Sequence, residues 1–89
     1  MDIEWDTDKA ESNLAKHGVS FDEAATALLD PMALAQEDED AQGEARWVLM
    51  GMSAQARLLV VVYTLRGSDE RIRLISARKA SRKEAKYYA

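Results

Sequence analysis

All seven arginines of this 89-residue chain, Arg46, Arg57, Arg66, Arg71, Arg73, Arg78 and Arg82, lie in its second half. A guanidinium is planar, stays charged and presents its donors as a fixed fork, so arginines gathered on one surface suit phosphate recognition. The other charges sharpen the division. Residues 1–44 carry 13 acids against Lys9 and Lys16, a balance of −11, and residues 45–89 carry 10 basic side chains against Asp69, Glu70 and Glu84, a balance of +7. The net charge of −4 hides this split. One part of the fold is therefore expected to be cationic and able to meet phosphates. The acidic part either repels non-specific nucleic acid or holds the basic part of a partner. The plainer alternative is that the two halves neutralise each other across the folded surface.

Phosphodiester cleavage in RNA without a metal needs help in removing the 2′-hydroxyl proton, cations around the phosphorane, and help for the departing 5′-oxygen. Arginines supply the cations but are poor bases, because they hardly deprotonate. The single histidine, His17, follows Lys16 at the end of an expected helix. There it is either a C-terminal cap favoured by the helix dipole or a proton-handling group. Phosphate-cradling and dinucleotide glycine motifs and the H-E-x-x-H zinc motif are absent. With one histidine and no cysteine, no nitrogen- or sulphur-ligated metal centre and no cofactor are expected. The acids Glu37 to Asp40, closed by Gly43, lack the spacing of a calcium loop and read as solvated loop. Ser20, Ser76 and Ser81 have no triad around them. Trp5, Trp47, Tyr63, Tyr87 and Tyr88 read as core or helix-packing residues before base-stacking ones.

Eighty-nine residues are enough for one sheet on two or three helices, so residues 1–89 form one domain. The longest apolar run, Leu58 to Tyr63, is too short to span a membrane. Met1, Asp2, Ile3 and Glu4 do not begin an export signal, and the lack of cysteine fits a reducing compartment, so a cytoplasmic chain is expected. Ile3 and Trp5 alternate with charged residues and predict a short edge strand over 2–5. Asp6 or Thr7 caps a helix running to about Lys16, and Gly18 stops it. Ser20 and Glu23 form an S-x-x-E capping box, with Val19 stapled onto Ala24. Phe21, Ala24, Ala25, Leu28 and Leu29 make one apolar face, and Asp30-Pro31 ends that helix. Met32 to Ala35 is a weak strand signal. Arg46–Met52, Leu58–Thr64 and Ile72–Ala77 read as strands separated by Ser53–Ala56 and by Gly67–Asp69. The middle one is apolar on both faces and belongs at the centre of the sheet. Ser81 with Glu84 opens a short last helix, ending at Tyr87 and Tyr88. The order is β-α-α-β-β-β-α, with room for one extra short strand.

Pairing Met52 with Arg57, and Leu65 with Arg71, sets Arg46 opposite Tyr63 and Tyr63 opposite Arg73. Arg46, Tyr63 and Arg73 then share one face, while Thr64, Arg66, Ser76 and Arg78 share the other with Trp47. A one-residue slip or a bulge would reverse these assignments.

Several segments together resemble the BrnT family. They are Trp5-Asp6, Lys16-His17-Gly18-Val19-Ser20-Phe21, Gly43-Glu44-x-Arg46, Thr64-x-Arg66, Ile75-Ser76-Ala77-Arg78-x-Ala80, and Glu84 with Tyr87 or Tyr88. The resemblance runs in order along nearly the whole chain. It implies an α+β, RelE-like fold, with a small antiparallel sheet packed on two N-terminal helices and a short C-terminal helix. It also implies a metal-independent endoribonuclease toxin of a type II toxin–antitoxin system. The implied partner is a BrnA-like ribbon-helix-helix antitoxin, through which alone operator DNA would be met. Carried over to this chain, the resemblance marks Lys16, His17, Arg66 and Arg78 as catalytic candidates. Arg46 and Tyr87, joined by Arg73 from the strand layout, are candidates for RNA binding. Glu44 would orient an arginine, and Trp5 and Phe21 would be structural. The alternative is a weakly active or inactive subunit that binds the antitoxin and co-represses.

Overall fold

Asp6 starts the first helix, its carboxylate accepting from the backbone N–H groups of Asp8 (2.8 Å) and Lys9 (3.1 Å). The computed structural model describes residues 2–38, 45–66 and 71–88. In order, the elements are β1 (Asp2–Glu4), α1 (Thr7–His17), α2 (Phe21–Ala27), β2 (Leu34–Asp38), β3 (Arg46–Met52), β4 (Leu58–Arg66), β5 (Arg71–Lys79) and α3 (Arg82–Ala85). Gly18 stops α1 in the left-handed region at φ 69°, donating its N–H to Leu14 at 2.9 Å.

The capping box of Ser20 and Glu23 is only half formed. Ser20 accepts from the Glu23 N–H at 3.0 Å, but the Glu23 carboxylate turns away to Ser53 (2.7 Å) and to Arg57. A buried carboxylate gains more from a guanidinium than from one amide N–H. Helix α2 also ends before Asp30-Pro31. Its last turn tightens through Leu29 N–H to Thr26 (3.1 Å) and Asp30 N–H to Ala27 (3.2 Å), leaving Leu29 77% exposed rather than on the apolar face. The Asp30 carboxylate then caps the following turn, accepting from the backbone of Met32 (2.9 Å) and Met52 (2.7 Å) and from the Tyr88 hydroxyl. These bonds hold its carboxyl below the usual carboxylate range, the Met52 bond contributing most.

The five strands lie in the order β1-β5-β4-β3-β2, so β4 is central and β1 is an edge, as the hydrophobic pattern requires. The sheet is mixed rather than antiparallel throughout: β1 runs parallel to β5, pairing Ile3 with Ile72. No hairpin joins these two strands, so nothing forces them antiparallel, and this register sends Ile3 to the same side as Ile72. The extra strand is β2. It places Glu37 and Asp38 in the ladder opposite Trp47 and Arg46 instead of in a loop. Gly43, Glu44 and Gly67–Asp69 lie outside the described residues.

Two details of register differ from the expected pairing. Met52 pairs with Leu58, because Arg57 belongs to the hairpin loop. Its guanidinium is held by Glu23 and donates to the Gly18 carbonyl at 3.1 Å, while its backbone closes on Ser53. In the second hairpin Arg66 pairs with Arg71, and the register shifts between Val62 and Tyr63, whose partners are Ser76 and Leu74. Ile75 is the extra residue of a bulge in β5.

Helices α1 and α2 cover one face of the sheet. Val19, Phe21, Ala24 and Ala27 pack there with Leu49, Leu59, Val61, Tyr63, Leu74 and Ala77. Trp5 meets Phe21 edge-on, with ring centroids 6.0 Å apart. Gly51 lies so close to α2 that a Cβ would come within 2.6 Å of the Ala27 carbonyl oxygen. Among the described residues, the other face of the sheet carries only α3, at one end.

Candidate functional site

The observed register settles which side chains share the open face. Cα partners point the same way and residues alternate along a strand. One row crosses all five strands: Asp38, Arg46, Thr64, Arg73 and Glu4. The neighbouring row holds Arg66, Arg71 and Asp2. On the other side follow Gln36, Val48, Val62 and Ser76, and then Leu34, Met50, Val60 and Arg78. Arg46, Arg66, Arg71, Arg73 and Arg78 therefore share a single face, where the expected layout had divided them. Two causes produced the difference: the five-residue loop shifted β3 by one, and the bulge changed the phase of β5. Tyr63 and Trp47, which the expected layout had put on different faces, pair with each other on the helix-covered side and pack in or against the core.

Strand spacing fixes the scale of this face. Arg46 and Arg73 flank Thr64, two strand separations or about 10 Å apart at Cα. Arg73 and Arg78 oppose Thr64 and Val60, about 13 Å apart along the sheet. Several of these cations have acidic neighbours. Arg73 donates to Glu4 at 3.1 Å, with Arg71 3.6 Å from the same carboxylate. Arg78 forms a two-pronged pair with Glu84, both bonds 2.8 Å, and Ser81 N–H adds a third at 2.8 Å. Arg78 and the Ser81 backbone hold the Glu84 carboxyl at about 2, and the pair raises Arg78 in turn. The second capping box of the sequence is complete here, with Ser81 also accepting from Glu84 N–H at 3.1 Å.

Lys16 and His17 reach this face from the side. Strand β1 pairs only with residues 71–73 of β5, so the rest of that edge is free for α1. Asn13 fills the role of a missing strand: its amide donates to the Ala77 carbonyl (2.8 Å) and accepts from the Ala77 N–H (3.1 Å). It also donates to the Val19 carbonyl at 2.9 Å. Next to this clamp is a groove of about 290 Å³ lined by Lys9, Ser12, Lys16, His17, Ile75 and Ser76. Ser76 belongs both to the groove and to the open face, between the rows of Arg73 and Arg78. Tyr87 lies at the far end, 72% exposed beyond α3.

The structure thus brings together Arg46, Arg66, Arg73 and Arg78, with Lys16 and His17 at the edge and Tyr87 over the apolar end. Sequence reasoning left out Arg71, Lys9 and Glu4. Arg71-Ile72-Arg73 alternates as a strand with one buried face should, and that was the available signal for Arg71. Glu4 carried none, because nothing local says that β1 joins β5. Arg57 is not part of this face; it neutralises Glu23 on the helix side and holds the Glu23 carboxyl below its usual range.

Residues 5–84 match the family described as the ribonuclease toxin BrnT of type II toxin–antitoxin systems. Among solved structures, the chain is similar to the Brucella abortus ribonuclease toxin BrnT, with 27% identity and a TM-score of 0.70. The similarity covers 92% of this chain and 99% of that one. No curated protein sequence matches the chain.

Proposed function

The chain belongs to the BrnT family of ribonuclease toxins of type II toxin–antitoxin systems, and from that premise we propose that it cuts RNA on the open face of its sheet. The observation that carries this reading is the gathering of five arginines on the one sheet face that the two long helices leave uncovered. Arg46 and Arg73, about 10 Å apart at Cα, each carry a side chain long enough to meet a backbone phosphate, and Arg66, Arg71 and Arg78 extend the cationic surface.

In this reading the 2′-oxygen attacks the adjacent phosphorus and the 5′-oxygen leaves, giving a 2′,3′-cyclic phosphate and a free 5′-hydroxyl. Arginines neutralise the phosphorane, which asks no proton of them. Lys16 or His17, entering beside Ser76, moves the proton. The cations are guanidinium groups, so cleavage proceeds in the presence of a chelator. The antitoxin is a BrnA-like ribbon-helix-helix protein that silences the toxin and carries the DNA contact. No helix that the structure describes in this chain is long and apolar enough to cross a membrane, and the reading places the work in the cytoplasm.

Induction of the chain alone in bacteria tests this. Growth stops and RNA fragments accumulate with 5′-hydroxyl ends, and Arg73→Ala with Arg78→Ala relieves the arrest. Folded protein that neither binds nor cuts RNA, with or without divalent cations, would leave the second reading: a subunit that serves mainly to bind the antitoxin. The carboxylates already on Arg73 and Arg78 are the observation that favours that alternative.

A further inference from the structure

Beside Arg78, the apolar rows of the open face and α3 enclose a cleft of about 310 Å³. Its floor is Leu34, Val48, Met50 and Val60, and its rim carries Gln36, Glu84 and Tyr87. None of these floor residues belongs to the core under α1 and α2, and Val60 is nonetheless only 6% exposed. The cleft is therefore a built hollow with an aromatic ring, an amide and a carboxylate around an apolar base.

We propose that this cleft is a nucleobase subsite that takes one base of the RNA and favours a base bearing an exocyclic amino group over uracil. The proposal rests on the RNA-cleaving reading of the open face and adds to it a selectivity. Three observations carry it. First, the occupant must combine a flat apolar body with a polar edge, and a base does so. Second, an anion attached to the occupant finds a cation beside it, since Arg78 is the direct cross-strand neighbour of Val60 in the floor. Third, the polar edge must donate. Glu84 is clamped by Arg78 and by the Ser81 N–H, and these use three of the roughly four acceptor positions of an ionised carboxylate. Oε2, which receives only Arg78 Nη2, keeps one free.

Adenine, cytosine and guanine each offer an amino N–H to that position. Uracil offers a single N–H between two carbonyl oxygens, which the carboxylate repels. With its carboxyl held at about 2, Glu84 remains an acceptor through the working pH range. Gln36, across the cleft, supplies both a donor and an acceptor for the rest of the base edge.

The test is titration of the folded chain with AMP, CMP, GMP and UMP separately, read by NMR at the methyl groups of Leu34, Val48, Met50 and Val60. The three amino-bearing nucleotides are expected to shift these methyls and to bind about tenfold more tightly than UMP, as one hydrogen bond to a charged acceptor implies. Leu34→Trp fills the cleft from an exposed edge-strand position and should erase the difference. Gln36→Ala, at another exposed site, should reduce it. In RNA cleavage the same variants should flatten the distribution of cut sites.

Equal binding of all four nucleotides overturns the proposal, as does an unchanged ratio in Leu34→Trp. So do methyl shifts that arise only with antitoxin, which would make the cleft a protein-docking site. If the chain binds RNA while the cleft ignores nucleotides, the subsite fails and the reading of the arginine face stands. If RNA is not bound at all, the reading of the face fails first.

Discussion

Replacing Asn13 by alanine should unfold the link between α1 and the sheet edge that sets Lys16 and His17. The side chain is 6% exposed and makes three bonds, at 2.8, 2.9 and 3.1 Å, all to backbone groups of Val19 and Ala77. Each is worth about 1 kcal/mol net, and alanine leaves their partners without replacement. The expected loss is therefore about 3 kcal/mol, against a total stability on the order of 4–13 kcal/mol for a chain of this length. That corresponds to a fall in Tm of roughly 12–24 °C. Urea denaturation followed by circular dichroism measures it, with an unchanged slope confirming that stability alone moved. Asn13→Asp separates the hydrogen bonding from the packing. Its carboxylate still accepts from Ala77 N–H but meets two carbonyl oxygens with no proton to offer. Its folded-state pKa is thus raised, and its stability should fall as pH rises through that value, the opposite of a salt-bridged aspartate. Asn13→Ala within about 0.5 kcal/mol of the parent would refute the edge-clamp argument.

Arg57→Met strands the Glu23 carboxylate, whose side chain is 2% exposed, and should cost about 3–5 kcal/mol at pH 7. Glu23 is held below its ordinary 4.5, so the pair's contribution is complete above that pH and is lost as pH falls through the lowered value. Acid titration of both proteins should show their stabilities converging as pH falls through that lowered value, and a constant gap would contradict the ion-pair account. Gly51→Ala drives a methyl against the Ala27 carbonyl oxygen and should destabilise by roughly 1–3 kcal/mol in thermal unfolding; a neutral result would mean that α2 moves away freely. Ala56 sits at φ 60°, so Ala56→Gly should raise stability by up to about 1 kcal/mol, and a decrease would deny strain in that loop. Arg46→Gln should lower the salt slope of RNA binding by about 0.7, one phosphate's worth on a single strand; an unchanged slope in fluorescence anisotropy would remove Arg46 from the track.

Caps and the central strand were legible because they depend on neighbours in sequence. Asp6, Gly18 and the Ser81–Glu84 box act within four residues, and the apolar run of β4 announces burial on both faces. What failed depended on distant partners. Glu23 abandons its local cap for Arg57, 34 positions away, and that same capture takes Arg57 out of the ladder and shifts β3 by one. Parallel pairing of β1 with β5 rests on contacts across nearly the whole chain. For the site, residue types were readable from the clustering of charge, while their convergence was not, because a face depends on register and register on one residue more or less.

The bulge at Ile75 makes that dependence concrete. Arg73 and Arg78 have opposite parity, so in an uninterrupted strand they would point to opposite sides of the sheet. The extra residue between Leu74 and Ser76 acts as a phase shifter: Leu74 and Ala77 both reach the core, and Arg73 and Arg78 both face out. Deleting Ile75 would leave composition, charge and strand propensity almost unchanged. It would nevertheless confront the chain with a choice between burying a guanidinium and expelling a core side chain. The length of this one strand, counted to a single residue, is thus as much a determinant of the site as the identity of any arginine in it.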